Sequence, residues 1–294
     1  MNVLRKCNLC PRNCNVDRYQ TVGYCRSKEK IKLSLVSVHM YEEPFISGTN
    51  GSGTIFFTNC NLGCIFCQNK KIRDGYGKEV TIKRFSDILL EQQSRKVHNI
   101  NLVTPTHYVP LIRKGIIKAK NNGLSIPIIY NTSSYENVNT IKMMNGLVDI
   151  YLADLKYYDD KYAIKYSKAK DYFKYATKAI NEMYEQVGKP VIENSLLKRG
   201  LVVRILLLPG LKEDAKKLLK YLYEIYQDNI YISIMNQYTP IEKYIYNELN
   251  NKVLDEEYNE VTNYACDLGI TNAFIQEGET QSQSFIPNFN LDNI

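Results

Sequence analysis

The stretch GTIFFTNCNLGCIFCQN, residues 53–69, places three cysteines directly after an apolar run of strand length. Cys60, Cys64 and Cys67 follow one another with the spacing C-x3-C-x2-C. A tetrahedral zinc site or a complete iron–sulfur cluster usually takes four protein ligands, so three cysteines make an incomplete structural site. Three thiolates on one short loop can instead hold three irons of a cubane [4Fe–4S] cluster and leave the fourth iron open. An open metal position is typical of catalytic sites, so this loop indicates catalysis. The alternative is a structural metal site with a remote fourth ligand, for which His107 and Cys266 are candidates.

Strand-length apolar runs alternate with helix-like stretches from about residue 52 onward. The strand candidates are GTIFFTN, NINLVTP, IPIIYNT, DIYLADL, LVVRILLLP, YISIMNQY and TNAFIQ. Most are continuous apolar runs, which suits strands that are buried on both faces. Repeated strand–helix units with buried strands indicate a parallel sheet with helical crossovers. About six such units predict an α/β fold built as a partial, six-stranded (β/α)6 parallel barrel, with residues 51–294 as its domain.

Unusual polar residues follow the predicted strands where each strand ends. The cysteine loop follows the first strand, and the segments that end the second, third, fourth and sixth strands are TPTHY, NTSS, ADLKYYD and NQYTP. In barrels of this kind, chemistry takes place at the carboxyl ends of the strands. The sequence therefore predicts a functional site that is assembled from these strand ends.

A second cysteine group precedes the predicted barrel, in a segment that we assign to residues 1–50. Cys7, Cys10, Cys14 and Cys25 have the spacing C-x2-C-x3-C-x10-C. Clustered cysteines at such short gaps indicate metal binding rather than disulfides. Four thiolates would complete either a tetrahedral zinc site or an auxiliary iron–sulfur cluster, so the sequence predicts a second metal centre of one of these two kinds.

The composition is that of an ordinary globular protein. Of 294 residues, 44% are hydrophobic and 23% are charged. No apolar run is long enough to span a bilayer, and the N-terminus lacks the apolar region of a signal peptide, so we expect a cytoplasmic protein with no membrane partner. The net charge is +7, but the lysines are scattered along helix-like stretches. Scattered charge is typical of solvated helix faces, so a nucleic-acid partner is not expected.

The cysteine loop and its neighbouring strands resemble the radical S-adenosylmethionine (SAM) superfamily. The segments GTIFFTNCNLGCIFCQN, ADLKYYDD and VVRILLLPG are similar to strands of glycyl-radical activating enzymes, notably pyruvate formate-lyase activating enzyme. The segments CNLCPRNCNVDR, YEEPFISGTNGSG, NLVTPTHYVP and NQYTP are similar to a narrower PflX-like family of activating-enzyme homologues. The resemblance runs from Cys7 to Gln276.

This resemblance implies a radical SAM oxidoreductase. The open iron would bind the amino and carboxylate groups of SAM, and one electron from the reduced cluster would cleave SAM to methionine and a 5′-deoxyadenosyl radical. That radical would abstract hydrogen from a protein, a peptide or a small molecule. A role as an activase of a glycyl-radical enzyme follows from family analogy alone. A flavodoxin or ferredoxin type of protein is expected as the electron donor.

The resemblance also implies residues that contact SAM at the strand ends. Activating enzymes carry a Gly-Gly-Glu segment at the end of the second strand, where this chain departs from the pattern. The predicted SAM-binding residues are Thr104, Pro105, Thr106, Asn131, Thr132, Asp154, Lys156, Arg204 and Gln237. Asp154 and Lys156 alternate along one strand and so share a face. A carboxylate there can accept the ribose hydroxyls of SAM, and an ammonium can pair with its carboxylate.

The alternative function is an iron–sulfur electron carrier or a metal-binding scaffold without SAM chemistry. An electron carrier has no need of Asp154, Lys156 and Arg204 around a cavity, so the polar strand ends favour the enzyme. Further residues carry secondary expectations: we expect His107 to line the cavity and Cys266 to lie on the buried face of the last helix. The paired acids of the segment YEEP usually mark a solvated loop, although the subfamily resemblance places them near the site.

Overall fold

The computed structural model describes residues 3–276, 281–282 and 286–294. The two predicted ranges, 1–50 and 51–294, each include a few residues outside this set. The described strands are β1 (Ile31–His39), β2 (Ser52–Phe57), β3 (Lys78–Val80), β4 (Ile100–Val103), β5 (Ile128–Thr132), β6 (Ile150–Asp154), β7 (Val191–Glu193), β8 (Leu196–Leu206), β9 (Tyr231–Met235) and β10 (Ala273–Ile275). The described α-helices are α1 (Pro44–Ser47), α2 (Lys70–Arg73), α3 (Ile82–Ser94), α4 (Val109–Asn121), α5 (Val138–Lys142), α6 (Asp160–Ser167), α7 (Tyr172–Val187), α8 (Lys212–Tyr226) and α9 (Asp255–Asp267).

The strands form one mostly parallel sheet, which confirms the predicted α/β class with a parallel sheet. The strand order is β10-β9-β8-β6-β5-β4-β2-β1-β3, and β7 pairs with β8. Pairing is parallel from β2 through β4, β5, β6, β8 and β9 to β10. Helices connect most of these strands, as parallel pairing requires. Each predicted apolar run overlaps one of these parallel strands.

The central parallel strands β2, β4, β5, β6 and β9 are almost entirely buried on both faces, as their continuous apolar runs predict, whereas β10 has no buried residue. Alternate residues of β5 point in opposite directions, so Tyr130 packs in the large core beneath the helices, whereas Ile129 packs in a second cluster on the other face. Phe45 and Ile46 of α1 belong to this second cluster. A short helix from outside the predicted barrel therefore fills the inner face of the sheet and underlies the site described below.

Five described elements were not predicted: α1, α2, α6, β3 and β7. α1 and α2 each span only four residues. β3 and β7 each span only three residues, which is too short to establish a period, and both pair antiparallel with a longer neighbour. α6 is short and follows the fourth predicted strand. β1 lies in the segment before the predicted barrel and pairs antiparallel with β2. None of the described helices combines the length and the apolar character that crossing a bilayer requires.

Candidate active site

The three predicted loop cysteines lie between the end of β2 and the start of α2. Left-handed backbone at Asn59 and Gly63, with φ of 70° and 69°, turns the chain back on itself around Cys60. The main-chain N–H of Leu62 donates to Cys60 Sγ at 3.4 Å, and Cys64 is buried. The loop therefore holds its thiols close to main-chain donors at the carboxyl end of the first parallel strand.

The loop thiols are desolvated and lie near one another. Burial and, to a smaller extent, the nearby Cys64 raise the pKa of Cys60 to about 11 and that of Cys67 to about 12. A bound cation reverses this situation, because a metal-coordinated thiol is deprotonated outright. Thiolate ligands select zinc, copper(I) or iron–sulfur clusters. The chemistry of these donors therefore fits a cluster, and Cys60, Cys64 and Cys67 are the residues that would hold it.

The loop thiols are not arranged as the ligands of a single ion. Among the described residues, no group of three or more His, Cys, Asp or Glu side chains is arranged to hold one metal ion. A cubane carries its irons at separate corners, so its thiolates stand further apart than the ligands of one ion. The alternative with His107 or Cys266 as the fourth ligand of a single ion consequently gains no support.

A cavity of about 500 Å³ opens beside the loop. It brings together residues from the ends of several parallel strands. The predicted residues that line it are Cys60, Cys64, Cys67, Thr104, Asn131, Thr132, Asp154, Lys156, Arg204 and Gln237. This volume lies in the range of small-molecule and cofactor sites. The strand-end rule therefore located the cavity from sequence.

Two of the predicted SAM-binding residues, Pro105 and Thr106, do not line this cavity. Thr106 is 1% exposed and donates to Glu136 Oε1 at 2.6 Å. The carbonyl of Pro105 accepts from the main-chain N–H of Tyr108 at 2.9 Å. The chain turns away from the cavity immediately after Thr104, so only the first residue of this segment faces the site.

Thr104 itself has a strained backbone. Its φ is 61°, in the left-handed region that a β-branched residue rarely adopts. Its main-chain N–H donates to the carbonyl of Asn131 at 2.9 Å, which anchors it to the next strand. Such strain persists where the surrounding structure enforces it, and it concentrates at functional sites. The strain at Thr104 therefore adds to the functional interpretation of this strand end.

A buried network of charges forms one wall of the cavity. Arg204 donates to Asp154 Oδ1 at 2.8 Å, to Asn131 Oδ1 at 2.7 Å and to Glu42 Oε2 at 3.3 Å. Lys156 donates to the second oxygen of Asp154 at 2.8 Å. Asp154 and Arg204 occupy paired positions on β6 and β8, so the sheet register sets their contact. The predicted residues Asn131, Asp154, Lys156 and Arg204 thus form one connected group.

The network holds its members in their charged forms. Burial alone would raise the pKa of Asp154, but Arg204 and Lys156 outweigh it, so this pKa is lowered. Burial likewise opposes the charge of Lys156, but Asp154 and then Cys64 raise its pKa above the usual value. The side chains of Asp154, Lys156 and Arg204 are all about 15% exposed or less. Fixed charges of both signs therefore line the cavity beside the cysteine loop.

Glu42 and Glu43 are wall residues of the cavity, whereas paired acids usually lie in a solvated loop. Asn101 Nδ2 donates to Glu42 Oε1 at 2.8 Å, and Glu43 is 8% exposed. Burial raises the pKa of both carboxyls, and Arg204 opposes the rise. The signal that could have found them is the apolar pair that follows, because burial of Phe45 and Ile46 carries the preceding acids inward.

Glu136 is a buried carboxyl that sequence reasoning missed. Its Oε1 accepts from Thr106 at 2.6 Å, from Thr132 at 2.7 Å and from Tyr130 at 3.1 Å. Burial raises its pKa to about 7, although these hydroxyls oppose the rise. Because Thr132 lines the cavity, Glu136 supports the wall from behind. No local pattern in the sequence marks it, since Thr106 comes from a different segment than Tyr130 and Thr132, which both lie on β5.

Two secondary expectations were wrong. His107 does not line the cavity: it is 2% exposed, and its Nε2 bonds to the carbonyl of Thr58 at 2.8 Å. Burial lowers its pKa to about 3, so it stays neutral. Cys266 is exposed, because the buried face of α9 passes through Val261 and Ala265. One residue further along a helix turns the side chain about 100° away from that face.

The four N-terminal cysteines lie in a compact segment. Burial raises the pKa of Cys10 to about 12, with Cys25 and Cys7 near enough to raise it further. The main-chain N–H of Tyr24 donates to Cys14 Sγ at 3.3 Å. A Cβ on Gly23 would lie only 2.7 Å from that sulfur, so a side chain there would collide with it. Thiolates are donors of the type that zinc or an iron–sulfur cluster takes. The four cysteines are not arranged here as the ligands of a single ion, as holds for all the described residues.

Arg12 joins this N-terminal segment to the loop of Cys60, Cys64 and Cys67. Its guanidinium donates to the carbonyls of Asn61 at 2.9 Å and Leu62 at 3.0 Å, within that loop. It also donates to the carbonyl of Ser167 at 2.9 Å and to that of Lys168, at the end of α6. Arg12 therefore lies at the junction of both cysteine groups and α6.

Comparisons with known proteins agree with this geometry. A model of the radical SAM superfamily matches residues 54–222, more than half of the chain. The uncharacterized protein MJ0674 of Methanocaldococcus jannaschii is 27% identical over 269 residues, which cover 87% of this chain and 73% of that protein.

Crystal structures of Streptococcus suis SuiB resemble the fold of this chain. The form bound to S-adenosylmethionine has 14% identity and a TM-score of 0.50, and the match covers 75% of this chain and 49% of that one. The form bound to precursor peptide SuiA has 14% identity and a TM-score of 0.52, with 75% and 47% covered. This chain thus spans about half the length of SuiB, and at such identity the likeness shows the fold alone. From the extent of the family match, we conclude that the chain belongs to the radical SAM superfamily.

Proposed function

We propose that this protein is a radical SAM enzyme that reductively cleaves S-adenosylmethionine at a [4Fe–4S] cluster held by Cys60, Cys64 and Cys67. The observation that carries the proposal is the meeting of these thiols with the charged wall of one cavity of about 500 Å³. When bound, the cluster supplies the electron that cleaves SAM to methionine and a 5′-deoxyadenosyl radical, which abstracts hydrogen from a substrate.

The chain's own residues bind and orient SAM in this proposal. Asp154, kept ionised by Arg204 and Lys156, accepts the ribose hydroxyls. Lys156 pairs with the carboxylate of SAM, and its proximity to Cys64 supports this position near the cluster. Thr104, Asn131, Thr132 and Gln237 provide polar contacts along the remaining wall. The apolar residues around them exclude water from a reactive radical.

The finer family assignment is also a proposal. The N-terminal cysteine segment, which leads into the strand before the barrel, supports the PflX-like group of activating-enzyme homologues. Pairing that remains parallel from β2 to β9 supports a partial (β/α)6 barrel, which β10 extends among the described strands. Activation of a glycyl-radical enzyme is one use of such a site, and modification of a peptide or a small molecule is another. The eight unpaired cysteines support a cytoplasmic location and a flavodoxin or ferredoxin type of donor.

We further propose that Cys7, Cys10, Cys14 and Cys25 hold a second metal centre, either an auxiliary iron–sulfur cluster or a zinc ion. The burial of Cys10 near Cys7 and Cys25 supports this, because a desolvated thiol without a metal gains nothing from the proximity of other thiols. A structural metal would also stabilise a segment with few apolar anchors.

An electron carrier without SAM chemistry is the alternative that the site disfavours. The carboxylates and cations that line the cavity are desolvated, which is unfavourable for charged groups. An electron carrier would have no use for these charged side chains. The deciding experiment is anaerobic reconstitution, followed by incubation with SAM and dithionite and quantification of 5′-deoxyadenosine and methionine. We expect equimolar formation of the two products. Reconstituted protein that contains iron but forms neither product would support the carrier.

A further inference from the structure

Cys64 accepts a hydrogen bond from a side chain of a different element. The hydroxyl of Ser167, the last residue of α6, donates to Cys64 Sγ at 3.0 Å. Ser167 is fully buried, and Cys64 is 8% exposed. Water therefore does not compete for this contact, and the low local dielectric strengthens it. Cys60 instead accepts from the main-chain N–H of Leu62. This donor belongs to the main chain, so it does not depend on the side chain of Leu62.

A second hydroxyl stands behind Ser167. Tyr157 Oη lies 2.7 Å from Ser167 Oγ, and Tyr157 is fully buried. A serine hydroxyl has one proton, and a Cys64 thiolate can only accept; when Ser167 directs its proton to that thiolate, Tyr157 is the donor of the second bond. The order of donation is therefore Tyr157 to Ser167 to Cys64. Hydrogen bonds in such a chain polarise one another, so the phenol strengthens the bond that reaches the sulfur.

The end of α6 is fastened to the cysteine loop, which keeps the hydroxyl aligned. The main-chain N–H of Ile65 donates to the carbonyl of Tyr166 at 2.9 Å. Lys168 adopts the left-handed conformation that ends the helix, and Arg12 donates to the carbonyls of Ser167 and Lys168. These carbonyls are among those that a helix leaves unpaired at its C-terminus, where a cation is also favoured by the helix dipole.

A hydrogen bond to a cluster thiolate favours the reduced state. Reduction adds one negative charge, which spreads onto the sulfurs, and a donor stabilises the more negative state more strongly. Hydrogen bonds to the sulfurs are among the factors that set the reduction potential of iron–sulfur clusters. Partners of this kind also orient the ligand. The donors at Cys64 thus bear directly on how readily the centre accepts an electron.

We propose that Tyr157 and Ser167 form a hydrogen-bond relay to Cys64 that raises the reduction potential of the cluster, and that Arg12 holds this relay in place from the N-terminal cysteine segment. The inference rests on the proposed function, because it requires a cluster on Cys64. The step concerned is transfer of one electron from a low-potential donor, which takes the cluster from the 2+ to the 1+ state. No bond is formed or broken in that step, and the relay keeps both of its protons. Tyr157, Ser167 and Arg12 are positioning residues in this account.

The test is an anaerobic redox titration of the reconstituted full-length protein with dithionite, followed by electron paramagnetic resonance. Ser167→Ala should lower the reduction equilibrium constant about tenfold, which is ~59 mV for one electron. Tyr157→Phe leaves the serine in place and should lower it by a smaller factor, roughly threefold. Arg12→Lys keeps the charge but loses the planar fork, and should shift the potential in the same direction.

Two matched variants control for the loss of a buried hydroxyl. Ser86 on α3 is fully buried and Tyr226 on α8 is 3% exposed, and neither hydroxyl has a hydrogen-bond partner among the described residues. Ser86→Ala and Tyr226→Phe should therefore leave the potential at the wild-type value. Iron content, measured on every variant, shows whether the cluster is intact.

The outcomes separate the relay from the proposed function. If Ser167→Ala and Tyr157→Phe hold wild-type iron at the wild-type potential, the relay is overturned while the SAM chemistry stands. If Ser167→Ala loses iron, Tyr157→Phe decides, because it retains the hydroxyl that contacts the sulfur. The titration needs no SAM, so failure of SAM cleavage would refute the proposed function without affecting this result.

Discussion

The two cysteine regions of this protein use the same ligand type in different settings. Cys60, Cys64 and Cys67 follow a buried parallel strand and line the large cavity, whereas the N-terminal quartet lies outside the lining of that cavity. The loop has three thiols and faces a charged wall, and the N-terminal segment has four thiols and no such wall. A centre that must bind substrate needs an open position and polar neighbours, whereas a closed centre needs only its ligands. The number of thiols and the presence of a charged cavity wall thus distinguish the proposed catalytic centre of the loop from the proposed closed centre of the N-terminal segment.

The regions also differ in how the chain is held. The loop extends from β2, every residue of which is buried. Before β1, no helix or strand is described in the N-terminal segment. Arginines that donate to main-chain carbonyls hold this segment in place. Arg18 is 1% exposed and donates to the carbonyl of Ser27 at 3.1 Å, and Arg12 reaches across to the loop. The loop therefore depends on the sheet, and the N-terminal segment depends on these arginines and on its proposed metal.

The largest expected effect is the loss of iron and of SAM cleavage when a loop cysteine is replaced, with a cysteine outside both regions as the control. Cys64→Ala should abolish SAM cleavage and remove about four irons, because two thiolates cannot hold a cubane in place of three. Cys266→Ala is the matched control, since Cys266 is exposed on α9. The measurement is iron content with 5′-deoxyadenosine formation after anaerobic reconstitution. Cleavage by Cys64→Ala at the wild-type rate would contradict the assignment of the loop.

The second prediction concerns the N-terminal cysteine region. Replacement of Cys7, Cys10, Cys14 and Cys25 together by Ala should remove one metal centre and leave the loop cluster in place. Elemental analysis should show a loss of about four irons for a cluster or about one zinc for a structural site. An unchanged metal content would refute the second centre.

The third prediction concerns Glu136, which lies where the two regions meet. Thr132 of the cavity wall donates to it, and its charge raises the pKa of Cys10. Burial raises the pKa of Glu136 from 4.5 to about 7. Below pH 4.5 it is protonated in both the folded and the unfolded chain. Between pH 4.5 and 7 the unfolded chain ionises first, so the free energy of unfolding falls as pH rises.

Glu136→Gln should remove this dependence. The free energy of unfolding of the wild type, relative to that of the variant, should drop by roughly 3 kcal/mol between pH 5 and pH 8. Urea unfolding of both proteins under anaerobic conditions, followed by circular dichroism, measures the difference. A difference that is constant across this range would show that Glu136 has an ordinary pKa in the folded protein.

The fourth prediction concerns the charged wall that only the loop region has. Asp154→Asn keeps the size of the side chain but removes its charge, and should weaken SAM binding by about one to two decades, or roughly 1.5–3 kcal/mol. Iron content should not change, since the side chain of Asp154 bonds to Lys156 and Arg204 and is not one of the proposed cluster ligands. Calorimetric titration of the reconstituted protein with SAM provides the affinity. The wild-type affinity in this variant would mean that SAM does not use β6.

The periodic features of this chain are those that sequence reasoning could find. Continuous apolar runs predicted the parallel strands, and the rule that sites lie at strand ends brought Asp154, Lys156 and Arg204 together with the loop. Glu136 was missed because its donors, Thr106 and Tyr130 among them, come from separate segments that only the folded sheet brings together. Ser167 was missed for the same reason, as its partner Cys64 lies 103 positions earlier in the chain. Local patterns thus predict elements and strand ends, and they carry no information on long-range polar contacts.

The central claim is that the three-cysteine loop leaves one iron open to SAM. Electron–nuclear double resonance on the reduced protein, mixed with SAM that carries ¹⁵N in its amino group, tests this claim most directly. The variant without the four N-terminal cysteines is the right sample, because any signal then comes from the loop cluster. If one iron is open to SAM, the cluster spin should couple clearly to the labelled nitrogen. A reduced cluster of four irons that shows no such coupling with saturating SAM would mean that SAM does not bind this iron through its amino group.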